Sequence, residues 1–473
     1  MRVRPHALGL LLGMLLCTAL QAADRLQVEG YSLDNGLQLI LKPTRERGHV
    51  SIRLVVGVGF DQFDCRHKEL PHLLEHLVFS GIDDGGEAGL EQRMQALGGE
   101  WNAYTRDSDT TFVLEVPAAN QRKALDLLLA ALFNTELTQA RIDAAKRVIR
   151  HENGEQPAAW QRLLGSPAGS DAALRQLAGE LGLACTGQDA LEHLDREALE
   201  KLREDWYVAN NMSLVLVGDL DRRLPAYLER RFGELPPGPM PELRDLPDST
   251  QDAKAERTLF NGLAGETAEV HLIFVEPWVG ELDHATWELL RAYLDWAIYR
   301  DLRLEHGLTY SPEIDRSAYA SASFFSLGAK VARGDIDETV RRLHDLLHEL
   351  ARAGLDGDTV ERLRGVALAR QNWMAQGNSA LADSYWNALG SYEEGRFADP
   401  ARDLRQVDTA QLDAALRLLL QQPSYLRVEK PLLGYNGLYG SGAALLLAGL
   451  LIPWIVYRLL RRGAGTMKGK PER

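Results

Sequence analysis

The sequence predicts two α+β domains of similar build, with an apolar segment at each end of the chain. A strand, helix, strand order occurs in both halves, without the regular alternation that a parallel βαβ sheet requires. A proline-rich linker, residues 236–255, lies between the halves, and its prolines exclude a helix there. The chain is long enough for two domains of about 200 residues each. We therefore expect one domain at residues 23–235 and a second at residues 256–430.

The first half is expected to begin with a β-hairpin. Asp34-Asn35-Gly36 is a strong turn signal between the apolar runs Tyr31–Leu33 and Leu37–Leu41. Further apolar runs predict strands at Val50–Val58, Trp101–Thr105, Thr110–Val116 and Ser213–Gly218. Apolar residues at helical spacing predict helices at Asn120–Phe133, Thr138–Glu152, Ala172–Leu181 and Arg196–Trp206.

The second half repeats this order more loosely. Strands are expected at Val270–Val275, Ser321–Val331 and Tyr425–Glu429. Helices are expected at Thr286–Leu304, Ile336–Ala353, Thr359–Gln376 and Ala410–Leu420. The repeated order indicates that the two halves belong to the same structural class.

The N-terminal residues 1–22 have the features of a secretory signal peptide. Arg2 and Arg4 precede the uncharged stretch Ala7–Leu20, and the small residues Ala22 and Ala23 offer a cleavage site. We expect cleavage there, which places the following residues outside the cytoplasm.

Residues 438–457 form a second apolar segment without a charged residue. A helix of twenty residues rises about 30 Å, which is enough to cross the hydrocarbon core of a membrane. Pro453 would kink such a helix without excluding it. The tail at residues 458–473 is basic, so the positive-inside rule predicts a single-pass helix with a cytoplasmic tail. In a Gram-negative bacterium, the body of the protein would then lie on the periplasmic side of the inner membrane.

The body between these segments is strongly acidic. The whole chain has a formal net charge of −14, with 45% hydrophobic and 25% charged residues. Without the +2 of residues 1–22 and the +5 of the tail, the body carries −21. Because this charge repels nucleic acid, we expect no nucleic-acid partner.

Two cysteines, Cys65 and Cys185, remain in the body. An oxidising compartment permits a disulfide between them, but a separation of 120 residues says nothing about their distance in the fold. The sequence leaves open whether they pair.

The most informative residues are His72, Glu75 and His76 in the run Pro71–Phe79. In a helix, the two histidines lie one turn apart on one face, with Glu75 beside them. Two neutral imidazoles suit Zn²⁺, and an adjacent carboxylate can hold and deprotonate a metal-bound water. The spacing H-x-x-E-H is the inverted form of the H-E-x-x-H zinc-peptidase signature. The alternative interpretation is a surface helix that carries two histidines and an acid.

A catalytic zinc site needs a third protein ligand and keeps its fourth position for water. Glu152 and Glu155 lie near the end of an expected helix, and both are candidates. Their spacing alone does not decide between them, because acids on a helix are most often only solvated.

These residues, together with others, resemble the pitrilysin, insulin-degrading enzyme and mitochondrial processing peptidase family of inverzincin peptidases. The matching segments are His72–His76, Arg147–Glu152, Leu97–Thr105, Trp206–Asp219 and Arg303–Tyr310. The resemblance implies two homologous α/β-sandwich domains of the mitochondrial-processing-peptidase type. It also implies that only the first domain is catalytic and binds one Zn²⁺.

The resemblance assigns roles around the metal. It implies that Glu152 is the third zinc ligand beside His72 and His76, and that Glu75 is the general base. Many members carry a second glutamate seven residues before the metal-binding one, and this chain has Ala145 there. Zinc binding is expected to survive that difference.

The resemblance also assigns substrate contacts. It implies that Asn102 and Ala103, in an edge strand, bind the peptide backbone. In the second domain, it implies that Arg303 fixes the peptide and that Tyr310 contacts it and helps to stabilise the tetrahedral oxyanion.

The expected function is that of a membrane-tethered zinc endopeptidase outside the cytoplasm, which hydrolyses extended peptides or unfolded polypeptides. The resemblance implies a homodimer, or a heterodimer with a related subunit. Two alternatives remain: a non-catalytic assembly subunit of such a heterodimer, and a peptide-binding scaffold in which zinc only stabilises the fold.

Overall fold

The computed structural model describes residues 25–465, apart from 84, 153–171, 186–188, 243–244, 246–251, 278–283 and 320. The expected signal peptide at residues 1–22 and the alternative zinc ligand Glu155 lie outside the described residues. So does the end of the basic tail.

The first sheet has the strand order β1-β2-β6-β3-β5-β4. Its strands are β1 (Glu29–Ser32), β2 (Gln38–Pro43), β3 (His49–Val56), β4 (Glu100–Thr105), β5 (Thr110–Pro117) and β6 (Met212–Gly218). The expected hairpin is confirmed, because Ser32 pairs with Gln38 and Gly36 takes the positive φ of 86° that such a turn requires. β4 lies at one edge, as predicted.

The first half of the chain contains the helices α1 (Leu70–Val78), α2 (Gly86–Ala96), α3 (Gln121–Asn134), α4 (Gln139–Glu152), α5 (Ala172–Glu180), α6 (Arg196–Trp206) and α7 (Leu224–Phe232). Sequence patterns predicted most of them but missed α2 and α7. α2 buries only Leu90 and Met94, so its apolar stripe is too narrow to stand out.

The second sheet has the order β7-β11-β8-β10-β9. Its strands are β7 (Glu256–Phe260), β8 (Thr267–Val275), β9 (Thr309–Tyr319), β10 (Ala322–Ala332) and β11 (Ser424–Lys430). Its half of the chain contains the helices α8 (His284–Ile298), α9 (Ile336–Ala353), α10 (Gly357–Met374), α11 (Asn378–Asn387), α12 (Pro400–Gln406) and α13 (Thr409–Leu420). The expected helix at Thr286–Leu304 is present, although it is an α-helix only to Ile298 and continues as a π-helical segment at Tyr299–Glu305.

One helix from each half packs against the sheet of the other half. α11 lies on β3 and β6, where Leu381 and Tyr385 join Val215 and Val217 in one apolar cluster. α5 likewise packs on the second sheet through Leu174 and Leu177. The spans 23–235 and 256–430 stay a prediction as domain limits, because the packing crosses between them.

Two buried arginines fix these crossing helices. Arg53 of β3 contacts Asp383 of α11 at 2.7 Å and Glu115 at 2.9 Å. Arg427 of β11 contacts Glu180 of α5 at 2.9 Å. Both guanidinium groups are almost fully buried, so removal of either partner leaves an uncompensated charge in the interior.

Cys65 and Cys185 form a disulfide, with their Cα atoms 5.4 Å apart. The bridge answers the question that the sequence left open. It ties the segment that precedes α1 to the segment that follows α5.

The C-terminal helix α14 (Tyr435–Gly465) includes the apolar stretch Tyr435–Leu459, whose mean hydropathy is 1.8. Its length and composition are sufficient to cross a membrane, and none of it is buried against the rest of the protein. The predicted span 438–457 lies within it, and Pro453 lies inside the helix without ending it.

Candidate metal centre and active site

α1 presents its two histidines on one side and its leucines on the other. Leu70, Leu73 and Leu77 are buried in the core of the first sheet, at the spacing of one helical face. His72 and His76 therefore lie on the opposite side, where their imidazole rings are 4.8 Å apart. This orientation follows directly from the sequence of the helix.

α4 packs against α1 and brings Glu152 to the histidines. The Oε2 atom of Glu152 lies 3.3 Å from Nε2 of His72 and 3.1 Å from Nε2 of His76. The two Nε2 atoms are 3.1 Å from each other. Three ligand atoms that belong to two helices thus converge on one point.

The separations of these atoms fit a zinc ion. Zinc bonds of roughly 2.0–2.1 Å in a tetrahedron place neighbouring ligand atoms about 3.3–3.4 Å apart. The observed 3.1–3.3 Å come within a few tenths of an ångström of that edge length. The donor set of two imidazoles and one carboxylate is also one that catalytic zinc sites use.

Glu69 orients His72. Its Oε2 atom lies 2.9 Å from Nδ1 of His72, which leaves Nε2 directed at the convergence point. Burial acts to lower the pKa of His72, but the hydrogen bond from Glu69 and the charges of Glu69, Glu75 and Glu152 outweigh it and raise the pKa. The surrounding carboxylates therefore favour a cation at this place.

Glu75 is buried and held from the edge strand. The hydroxyl of Thr105, at the end of β4, donates a hydrogen bond to Oε2 of Glu75 at 2.6 Å. Tyr207 is also buried nearby, and burial together with the charge of Glu75 raises the pKa of its phenol, which stays protonated. Glu75 is thus fixed in orientation beside the histidines.

In the edge strand β4, one backbone N–H is hydrogen-bonded to a side chain of the same strand. The N–H of Ala103 donates to Oδ1 of Asn102 at 2.9 Å, so it does not point at β5. Asn102 in turn donates to the hydroxyl of Tyr104 at 2.9 Å. The ring of Tyr104 stacks on Trp386 of the crossing helix α11. This edge of the sheet can therefore offer main-chain groups to an extended peptide once Asn102 moves.

Arg303 and Tyr310 contact each other rather than the histidines. The guanidinium of Arg303 lies 4.2 Å from the ring centroid of Tyr310, whose side chain is 79% exposed. Within the described residues, neither side chain forms a hydrogen bond or ion pair with His72, His76 or Glu152. The structure thus brings the expected ligands and base together, but not the two expected substrate contacts of the second half.

Sequence reasoning missed Glu69, Thr105 and Tyr207 as parts of the site. Glu69 could have been found as an acid three residues before His72, where it shares a helical face. Thr105 was placed in the edge strand but given no role. Ala145 is buried in the core of the first sheet, so no carboxylate supports the site from that position.

Two family models match this chain. Insulinase (Peptidase family M16) matches residues 39–187, and the Peptidase M16 inactive domain matches residues 193–365. The probable zinc protease PqqL of Escherichia coli (strain K12) is 23% identical over 384 residues, which cover 77% of this chain and 40% of that protein. The chain thus spans about two fifths of the length of this relative.

Solved structures show the same fold. A protease from Helicobacter pylori superposes with a TM-score of 0.69 at 15% identity, covering 86% of this chain and 100% of the other. The first half of the periplasmic protease PqqL from Escherichia coli gives 0.67 at 17% identity, covering 85% and 92%. These likenesses confirm the two-domain α/β fold. The resemblance stated from the sequence is confirmed as well: the chain belongs to the insulinase family of peptidases, family M16.

Proposed function

We propose that this protein is a zinc-dependent endopeptidase that hydrolyses extended peptides or unfolded polypeptides. The observation that carries the proposal is the convergence of His72, His76 and Glu152, with Glu75 held beside them. The three ligand atoms lie 3.1–3.3 Å from one another, within a few tenths of an ångström of the edge of a zinc tetrahedron.

His72 and His76 would hold the ion through Nε2, and Glu152 would hold it through a carboxylate oxygen. Zinc bound there would lower the pKa of a coordinated water to about 7 and polarise the scissile carbonyl. Glu69 keeps the ring of His72 in the orientation that this requires.

Glu75 moves the proton. Its carboxylate removes a proton from the attacking water and then delivers it to the leaving amine. Thr105 fixes the carboxylate from one side, so the base does not need to find its position during the reaction.

β4 binds the substrate as an added strand. An extended peptide pairs with the outer groups of the edge strand, and Asn102 releases the N–H of Ala103 to it. Such pairing recognises backbone rather than side chains, which favours broad specificity and unfolded or short substrates. We also propose that Arg303 fixes the peptide and that Tyr310 stabilises the oxyanion, as the family resemblance implies.

The proposal for the location rests on α14. We propose that its apolar stretch anchors the protein in the inner membrane, with the body on the periplasmic side, as the residues at both ends of the chain predict. The relative PqqL is described as a periplasmic protease, and its first half matches this chain. We further propose that a second copy, or a related subunit, completes a dimer.

Two substitutions test the catalytic proposal. Glu75→Gln is expected to abolish hydrolysis of an unfolded protein substrate and to leave one Zn²⁺ bound per chain. Glu152→Gln is expected to lose the metal. Peptide products are read by mass spectrometry and zinc by elemental analysis, with Glu204→Gln, an exposed acid on α6, as the control.

The alternative functions give different results. A non-catalytic subunit would show no chelator-sensitive hydrolysis in the parent protein. A peptide-binding scaffold would bind zinc and peptide without cleavage. Turnover of Glu75→Gln at the parental rate would refute the assignment of Glu75 as the base.

A further inference from the structure

The connection between the second sheet and α14 is unusually short. Four residues, 431–434, separate the end of β11 from the start of α14, and we call them the connector. They run beside residues 261–265, the loop that follows β7, which we call the base loop. The connector and the base loop together determine how the helix leaves the body.

Main-chain hydrogen bonds join the connector to the base loop. The N–H groups of Leu432 and Leu433 donate to the carbonyls of Gly262 and Leu263 at 2.8 and 2.9 Å. Gly265 donates back to the carbonyl of Leu433 at 3.0 Å. The parallel pairing of β11 with β7 thus continues to within two residues of the helix, so the connector is not a flexible tether.

Side chains of the second half hold the same junction. Arg333 donates to the carbonyls of Pro431 and Leu432. Its own N–H donates to the carbonyl of Glu266 at 2.8 Å. The side chain of Glu266 accepts the N–H of Tyr435, the first residue of α14, at 2.5 Å. A carboxylate at the N-terminal end also interacts favourably with the positive end of the helix dipole. The body therefore both caps and orients the helix.

Large apolar side chains surround the start of the helix and face solvent. Leu263 at the tip of the base loop is 56% exposed, and Leu432, Tyr435 and Tyr439 are exposed as well. Tyr435 and Tyr439 lie one turn apart on one face of α14. Tyrosine is enriched where a spanning helix meets the lipid headgroups, and it occurs here at that end of the helix.

Helix geometry gives the approximate distance between the hydrocarbon core of the membrane and the base loop. The 19 residues from Tyr439 to Tyr457 rise about 28 Å, close to the thickness of a hydrocarbon core of about 30 Å. Tyr435 lies about 6 Å further out along the helix, in the outer part of a headgroup layer that is about 5–8 Å thick. Leu433, which is bonded to the base loop, lies two residues before the helix begins. The base loop therefore lies at the outer boundary of that layer.

We propose that the base loop and the connector form a lipid-contacting surface, with Leu263 and Leu432 at the outer boundary of the headgroup layer of the bilayer. The inference rests on the proposed anchoring by α14. It adds that no flexible segment separates α14 from the body. The body therefore keeps one orientation, with the β7 and β11 end of the second sheet against the membrane. Substrates would then reach the site at a fixed height above the lipid.

The test uses the full-length chain in phosphatidylcholine vesicles. Leu263→Cys is labelled with a fluorophore sensitive to its surroundings, without reductant, so that the disulfide of Cys65 and Cys185 stays closed. Vesicles with spin-labelled lipid quench a fluorophore that lies among the headgroups. Val366→Cys on α10, 58% exposed, is the matched control. We expect at least twofold stronger quenching at position 263 than at position 366, and equal quenching would overturn the proposal.

A second variant tests the rigid connection. Six Gly and Ser residues inserted between Gly434 and Tyr435 are expected to reduce the quenching at position 263 to that of the control, with hydrolysis of a soluble peptide retained. Undiminished quenching would contradict the role of the connector. Alkaline extraction of the parent protein separates the two ideas. Release from the vesicles would refute anchoring itself, whereas retention without quenching at position 263 would refute only the lipid-contacting surface.

Discussion

Thr105→Val tests whether the edge strand positions the catalytic base. The substitution keeps the shape of the side chain and removes the hydroxyl that donates to Glu75 at 2.6 Å. A hydrogen bond to a charged group contributes about 1.5–3 kcal/mol. If that orientation is needed in the transition state, kcat/KM falls about 10- to 150-fold, since each 1.36 kcal/mol is about tenfold. Zinc content should not change, because Thr105 contacts none of the three ligands.

The assay is hydrolysis of a fluorogenic peptide by the zinc-loaded protein, with metal content and thermal unfolding measured in parallel. Thr105→Ser keeps a hydroxyl and should recover most of the activity. Thr339→Val, which removes a buried hydroxyl bonded to the carbonyl of Asp335 in the second half, is the control for a general loss of stability. A kcat/KM for Thr105→Val within twofold of the parent value would refute the argument.

Three further predictions concern metal and stability. Removal of zinc by a chelator should abolish hydrolysis, and added Zn²⁺ should restore it; activity that survives in metal-free protein would contradict the mechanism. Reduction of the bond between Cys65 and Cys185 should lower the free energy of unfolding by roughly 2–5 kcal/mol, measured by urea titration, because it releases a long closed loop. Burial acts to raise the pKa of Glu180, but Arg257 and Arg427 outweigh it and hold the pKa below 4.5. Glu180 therefore stabilises the fold above pH 4.5, and this contribution is lost as the pH falls through its folded pKa. Glu180→Gln should show a shallower loss of stability between pH 5 and pH 3, and a slope equal to that of the parent would count against the pairing.

The spacing of H-x-x-E-H determined most of the metal centre in advance. Helical periodicity alone puts His72 and His76 on one face once the leucines between them are buried. The choice of Glu152 over Glu155 came only from the family resemblance, because no local pattern says where a helix will dock. Thr105 was missed for the same reason, because its role depends on a contact and not on a motif, whereas the spacing of Glu69 from His72 was a signal that was not used.

The packing of α5 and α11 on the sheet of the other half could not be predicted from sequence patterns. The pattern of an amphipathic helix predicts that one face is buried, but it does not predict which sheet covers that face. Arg53 and Arg427 were an unused signal, since a buried arginine inside an apolar strand needs a charged partner. The π-helical segment Tyr299–Glu305 could not be distinguished from a continued α-helix, because both periods fit so short a run.

The central claim is that one zinc ion is bound by His72, His76 and Glu152. Anomalous diffraction at the zinc absorption edge, from crystals of the zinc-loaded protein, tests it most directly. We predict one peak per chain at bonding distance, about 2.0–2.2 Å, from Nε2 of both histidines and an oxygen of Glu152. A protein that cleaves peptides without a peak there, or with its only peak at another group such as Glu269, His271 and Glu429, would contradict the account.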